Sequence, residues 1–399
     1  MHISLQDLFE QIDGIGNGGE LGYTRLAWTE EDAQLRAWFR EQAELRGLLY
    51  EVDRAGNQWA WWGGRPTPED PAITTGSHLD SVPGGGQFDG PLGVLSALAA
   101  IDLLRDQGFE PRHPIGIVNT SDEEGARFGI ACFGTRVLTG VIDPDQALAR
   151  ADADGITLAE ALDEHEIDTD DYGADPMLLK SIACHLELHV EQGYALGEIG
   201  SPIAVASHIW PHGRWEVRLQ GESNHAGTTP MGRRCDPMNQ LADLIVAVRE
   251  SAVRHDAVAT IGRLTVIPNG VNVIAAAVIA SLDVRASHEE AVGAVLADLA
   301  RFAPRRESWT ASTYFDTSVS GIVSQAVSEE IGSVPPVLGT GAGHDAGVLQ
   351  NAGVPTAMLF VRNTTGASHT PAEHADPEDC ETGVAALAAA LQMMDAGDE

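Results

Sequence analysis

Lysine is almost absent from this chain: Lys180 is the only one in 399 residues, and the rest of the 24 basic side chains are arginines. Against them stand 59 acidic residues, which leaves a formal net charge of −35. Phosphate backbones and anionic membrane surfaces would be repelled, so neither nucleic acid nor a membrane is an expected partner. A salt-adapted or high-GC host would explain the acidic excess, and so would an ordinary solvated surface. Long apolar runs are also missing; none reaches the roughly 18 residues of a membrane span. The segment from Met1 to Gly14 lacks both the basic start and the apolar stretch of a signal peptide, so a cytoplasmic location is expected. Cysteine is scarce. Cys132, Cys184, Cys235 and Cys380 form no C-x-x-C pair, which argues against structural zinc and a disulfide framework and for reduced thiols. No internal repeat or low-complexity tract is present.

The chain does have ample core material, 43% hydrophobic, over a length that exceeds one ordinary domain. Thr29 followed by three acids opens a helical pattern closed by Gly47, and strands are expected at Leu48–Val52 and Gln58–Trp62 around the turn at Arg54-Ala55-Gly56. From Ile73 apolar runs alternate with helical ones: strands Ile73–Ser77, Ile115–Thr120 and Ile182–Val190, helices Leu92–Leu104 and Phe133–Leu138. That alternation predicts an α/β fold with a mixed, largely parallel sheet and helices on both faces. After Ser207 the rhythm becomes strand-helix-strand-strand-helix-strand, with a long strand over Val273–Val284 and a last one over Trp309–Phe315, the split βαβ order of a small α+β domain. The α/β pattern returns near residue 320, with a strand at Thr356–Val361 and a terminal helix over Glu378–Met394. Residues 1–207 and 321–399 are therefore expected to form one domain, and 208–320 an insertion.

The chemistry-bearing residues cluster at predicted strand ends. Gly76-Ser77-His78-Leu79-Asp80 ends one strand, where open α/β sheets place their ligands. His78 and Asp80 share a face, so Asp80 can take the proton of one ring nitrogen while the other binds metal. The glycine-rich loop that follows returns Asp89 to the same place. The next strand ends in Ser121-Asp122-Glu123-Glu124-Gly125. Three acids in a row can be merely a solvated loop; alternatively one binds metal while its neighbour serves as general base, their repulsion raising one pKa. His189 and Gln192 lie at the carboxyl end of a third strand, with His185 and Glu187 deeper on the same face, in structural or supporting positions. His369 follows the last buried strand. His78, Asp89, Glu124, His189 and His369 make five ligands, more than one catalytic zinc needs. They suit two divalent ions bridged by a carboxylate, with zinc, manganese and cobalt all compatible. In the insertion, His225 sits in a turn-rich loop, Asn272 lies where the chain enters the long strand, and Arg285 ends that strand. A strand-borne arginine can be a surface ion pair, or with an asparagine it can grip a carboxylate.

The stretches GSHLDSVPGGGQFDG, DEEGARFG, ELHVEQG, NHAGTTPM, PNGVNVI, GAGHDA and SHTPAEHAD follow one another over nearly the whole chain. In that order they resemble the allantoate amidohydrolases and N-carbamoyl-L-amino acid hydrolases, a branch of the dinuclear-metal aminoacylase and carboxypeptidase-like superfamily. The resemblance implies that His78, Asp89 (bridging), Glu124, His189 and His369 hold two metal ions, Glu123 is the general base, and Gln192 contacts substrate. It further implies that His225 of the partner subunit stabilises an oxyanion, that Asn272 and Arg285 hold a substrate carboxylate, and that His344 lies near the site. The inserted domain would then form a homodimer and cover the site, and the substrate would be a small ureido compound bearing a carboxylate: allantoate, or alternatively an N-carbamoyl-L-amino acid. A dipeptidase or deacylase fits less well because the HAGTTPM and ELHVEQG segments point elsewhere, and an inactive binding homologue fits less well because every ligand position and Glu123 are present.

Overall fold

A computed structural model describes residues 4–165 and 167–397. The chain divides into two compact units. The first comprises Met1–Ser207, Tyr314–Leu338 and Gly343–Glu399; the second comprises His208–Thr313 and Gly339–Ala342.

The first unit is built on a nine-stranded sheet. Its centre is four parallel strands, in the spatial order Ile115–Thr120, Ala72–His78, Ile182–Val190, Thr356–Val361. All but one of their residues are buried, which is why they read as continuous apolar runs rather than as alternating ones. Antiparallel strands flank this centre: Gln58–Trp62 and Leu49–Val52 on one side, Ile203–Ile209 on the other. The helix Pro91–Asp106 packs on the sheet and is buried over most of its surface. Leu92, Leu95, Leu98 and Ile101 are fully enclosed, each contributing about 1.5–3 kcal/mol by leaving water. Because the four central strands run in one direction, their carboxyl ends share one edge, and the loops leaving it carry the candidate ligands.

The second unit is a four-stranded antiparallel sheet in the order Arg305–Thr310, His212–Gln220, Ala277–Ala286, Ala257–Ile267, with the helices Pro237–Arg254 and Glu289–Asp298. The long strand expected over Val273–Val284 is interrupted. Val273–Ile274 pairs instead with Asn224–His225, and only Ala277–Ala286 joins the sheet. The strand expected over Trp309–Phe315 also divides. Arg305–Thr310 stays in the small sheet, whereas Thr313–Tyr314 lies at the edge of the large one beside Ile203–Ile209. For that reason the segment 314–320, assigned to the insertion from sequence, packs in the first unit.

Charge separates the units sharply. The second holds eleven arginines against eleven acidic residues, so the whole −35 resides on the first. The second unit also exposes apolar side chains on the helix Pro237–Arg254 (Ile245, Val246, Val253) and on the edge strand Ala257–Ile267 (Val258, Leu264). Among the described residues no helix is long and apolar enough to cross a membrane.

Candidate active site

His78 is the last residue of its strand and His189 the last but one of its own. Both rings are buried and fixed through Nδ1: His78 Nδ1 lies 3.0 Å from the Asp80 carbonyl oxygen, and His189 Nδ1 lies 2.8 Å from that of Val190. With Nδ1 donating, Nε2 of each ring is left as the free ligand atom. His189 Nε2 lies 3.3 Å and His78 Nε2 3.8 Å from Asp89 Oδ1. The other oxygen of Asp89 faces elsewhere: its Oδ2 is 3.5 Å from His369 Nε2, which is itself 3.4 Å from Glu124 Oε2. The five expected ligands thus sort into two triads, His78–Asp89–His189 and Asp89–Glu124–His369, that share one carboxylate.

The turn at Gly90 makes this possible. Its φ of 86° brings the chain back over His78, and a Cβ there would fall 2.4 Å from the imidazole.

Asp80 does something the sequence reading did not foresee. Its carboxylate is 3.5 Å from His78 Nδ1, farther than its own carbonyl, and its two oxygens instead accept the backbone N–H groups of Glu123 and Glu124, each at 3.1 Å. It therefore aims the adjacent acids. Glu123 is buried with Oε2 3.8 Å from His78 Nε2, and Oε1 accepts the Cys132 thiol at 3.1 Å. Gln192 Nε2 donates to Asp89 Oδ2 at 2.7 Å, as does Ser368 Oγ at 3.1 Å. His344 is buried edge-on against the His189 ring, at 4.6 Å between centroids, and its Nε2 has no hydrogen-bond partner among the described residues; burial, with His189 beside it, holds its pKa well below the usual histidine range. His185 and Glu187 are supporting residues. The former meets the Thr74 hydroxyl at 3.0 Å, and the latter accepts Ser77 Oγ and the Ala346 N–H.

Three assigned residues lie in the second unit. His225 is exposed, its Nδ1 accepting the Gly227 N–H, and Asn272 is its neighbour through the Ala226 N–H to Asn272 carbonyl bond. Arg285 is half-buried; its guanidinium donates to Asp283 at 2.8 Å and to the Gly341 carbonyl at 2.7 Å.

Glu373 was missed. It is buried, and its Oε1 accepts the backbone N–H groups of Phe88 and Asp89, both at 2.9 Å. The sequence offered one signal, an acid four residues beyond His369, without saying what it faces.

The electrostatics fit divalent cations. Asp80, Asp89, Glu123, Glu124 and Glu373 converge here, and among the described residues no arginine or lysine pairs with any of them. Burial, and next the Asp89 charge, pushes Glu124 up to about 8 and Glu373 up to about 7; burial also raises Glu123 well above the usual carboxylate range. Asp89 is also penalised by burial, but His189, His78 and His369 hold its carboxyl well below the usual range. Clustered carboxylates and unblocked imidazole nitrogens, with no thiolate, form a donor set suited to two divalent ions.

The sequence pattern of peptidase family M20/M25/M40 matches residues 74–393. The chain is 35% identical over 393 residues to an N-carbamoyl-L-amino acid amidohydrolase of Geobacillus stearothermophilus, covering 94% of each chain. It is 31% identical over 409 residues to an allantoate amidohydrolase of Bacillus subtilis, covering 96% of this chain and 95% of that one. The crystal structure of a hydantoinase/carbamoylase family amidase from Burkholderia vietnamiensis superposes with a TM-score of 0.83 at 32% identity, over 97% of this chain and 95% of the other. A match of this extent in pattern, sequence and fold makes the chain a member of peptidase family M20/M25/M40, a hydrolase of the branch that holds the allantoate and N-carbamoyl-L-amino acid amidohydrolases.

Proposed function

We propose that this enzyme hydrolyses the ureido carbon–nitrogen bond of allantoate, releasing ammonia and carbon dioxide, at a site holding two divalent metal ions. The observation that carries the reading is the pair of triads sharing Asp89, each with its ligand atoms within 4.8 Å of one another. Zinc, manganese or cobalt, when bound there, would acidify water and polarise the ureido carbonyl. Glu123 takes the proton from the attacking water and passes it to the leaving nitrogen. Its carboxylate is buried beside the first triad, with Oε2 3.8 Å from His78 Nε2, where it can take up and return a proton. Gln192 and His344 contact the substrate from the floor of the site. Asn272 and Arg285 bind its carboxylate, for which Arg285 would exchange Asp283 as partner.

His225 of the partner subunit donates to the developing oxyanion in a homodimer formed through the second unit. Support for that assembly comes from the neutrality of this unit, its exposed Ile245, Val246 and Val253, and the open edge strand Ala257–Ile267. Two copies could meet there without the repulsion that −35 would otherwise impose.

A second reading, hydrolysis of an N-carbamoyl-L-amino acid, is favoured by the 35% identity to the Geobacillus stearothermophilus enzyme. Ammonia release from allantoate and from several N-carbamoyl-L-amino acids decides between them. Wild type should turn over the preferred substrate and fail on its amide analogue, which lacks the carboxylate. No release from any ureido substrate sinks both readings; equal use of acid and amide removes Arg285 from its role.

A further inference from the structure

Glu373 reaches across 284 residues of sequence to grip the loop that carries Asp89. One of its oxygens, Oε1, accepts two consecutive N–H groups, those of Phe88 and Asp89. The other, Oε2, is buried and has no hydrogen-bond partner among the described residues. The space is tailored to this side chain: a Cβ on Gly86 would fall 2.3 Å from Glu373 Oε1, so only glycine at that position admits the carboxylate. At its other end, Glu373 belongs to the loop that presents His369. That loop is stapled to itself by Asn363 Nδ2 to the Ala367 carbonyl at 2.7 Å, by Thr365 Oγ1 to the Ala372 carbonyl at 2.9 Å, and by the Glu373 N–H to the Thr370 carbonyl at 3.1 Å. His369 itself sits at φ 59°, a left-handed conformation that a non-glycine residue keeps only where its surroundings hold it.

We propose that Glu373 is a positioning residue, a strut that sets the distance between Asp89 and His369 and thereby builds the second of the two metal triads. The inference rests on the two-ion reading of the site. The triads differ in how much they need such a strut. His78 and His189 are buried on adjacent central strands, each ring fixed by an Nδ1 hydrogen bond, so the first triad is supported by the sheet. The His369 side chain is 48% exposed and hangs on a loop. Two ties join that loop to the Asp89 loop and hold its Nε2 opposite Asp89 Oδ2 at 3.5 Å: the paired N–H bonds to Glu373, and Ser368 Oγ to Asp89 Oδ2 at 3.1 Å. Removing the Glu373 tie should loosen the second ion and largely spare the first.

The test is the stoichiometry and affinity of zinc and of manganese binding to metal-depleted protein, read by equilibrium dialysis with metal analysis, on wild type and three variants. Glu373→Ala removes the strut. Glu373→Gln keeps an oxygen able to accept both N–H groups. Gly86→Ala drives a methyl against the carboxylate without deleting it, and reads the same contact should Glu373→Ala fail to fold. Wild type and Glu373→Gln should bind two equivalents; Glu373→Ala and Gly86→Ala should keep one tight ion and bind the other about 10- to 100-fold more weakly. Two ions held at wild-type affinity by both disruptive variants would overturn the strut, and so would equal weakening of both ions. A wild type that binds fewer than two equivalents overturns the two-ion reading itself, and the strut with it.

Discussion

Asp80 Oδ1 accepts the backbone N–H of Glu123 at 3.1 Å, and Asp80 Oδ2 takes the next N–H, that of Glu124, at the same distance. One carboxylate thus holds the backbone of two others, for which different tasks are proposed. An amide at position 80 would present an NH2 group to one of those N–H donors, so Asp80→Asn should splay the loop that Asp80→Glu would merely shift. We expect Asp80→Asn to lose about 10- to 100-fold in turnover and in affinity for the Glu124-bound ion. Steady-state rates and metal content check this; a variant altered only in the ion held by His78 would return Asp80 to the role of histidine partner.

The division between the adjacent acids makes its own prediction. Glu123→Gln should abolish turnover by about two to four orders of magnitude yet keep both ions, whereas Glu124→Gln should lose metal. Metal analysis of the two purified variants settles the point, and equal metal loss would end the division of labour.

Much of this was legible in the sequence because it depended on local pattern. The central strands could be read from apolar runs such as Ile115–Thr120, and the residues that gather into the two triads from polar positions where those runs stop. What was not legible depended on tertiary contact. The break between Ile274 and Ala277 is set by which strand each side pairs with, and no apolar pattern records that. The Asp80 carboxylate was expected at His78, two residues away, but its hydrogen bonds run to a loop more than forty residues on. Glu373 was overlooked for the same reason, since its partners are backbone N–H groups that any residues would supply.

His185 supplies a pH-dependent term away from the ligands. Burial alone takes its pKa down to about 3, so the folded ring stays neutral while the unfolded one takes up a proton near pH 6.5. Its stabilising contribution is therefore full above about pH 6.5 and declines as the pH falls toward 3, by a few kcal/mol at most. In urea unfolding of metal-free protein between pH 4 and 7, His185→Leu should lose stability less steeply with acid than wild type. Parallel curves would show that the ring is not buried neutral.

His225 and Glu123 lie in different units of the chain, which permits a complementation test. Homodimers of Glu123→Gln and of His225→Ala should each be nearly inactive. Co-expressed, they form mixed dimers with one doubly defective and one intact site, so random pairing should restore about a quarter of wild-type activity. No recovery in proven mixed dimers would place His225 in its own subunit's site, or outside the chemistry.

The central claim is that two ions sharing Asp89 drive ureido hydrolysis, and a metal titration of activity tests it most directly. Metal-depleted protein is mixed with increasing zinc or manganese, while bound metal and ammonia release from allantoate and N-carbamoyl-L-amino acids are followed together. The account predicts no release from the depleted protein, saturation at two ions per chain, and turnover that rises as the pair is completed. Undiminished release under chelation, or full turnover at a single bound ion, would contradict it.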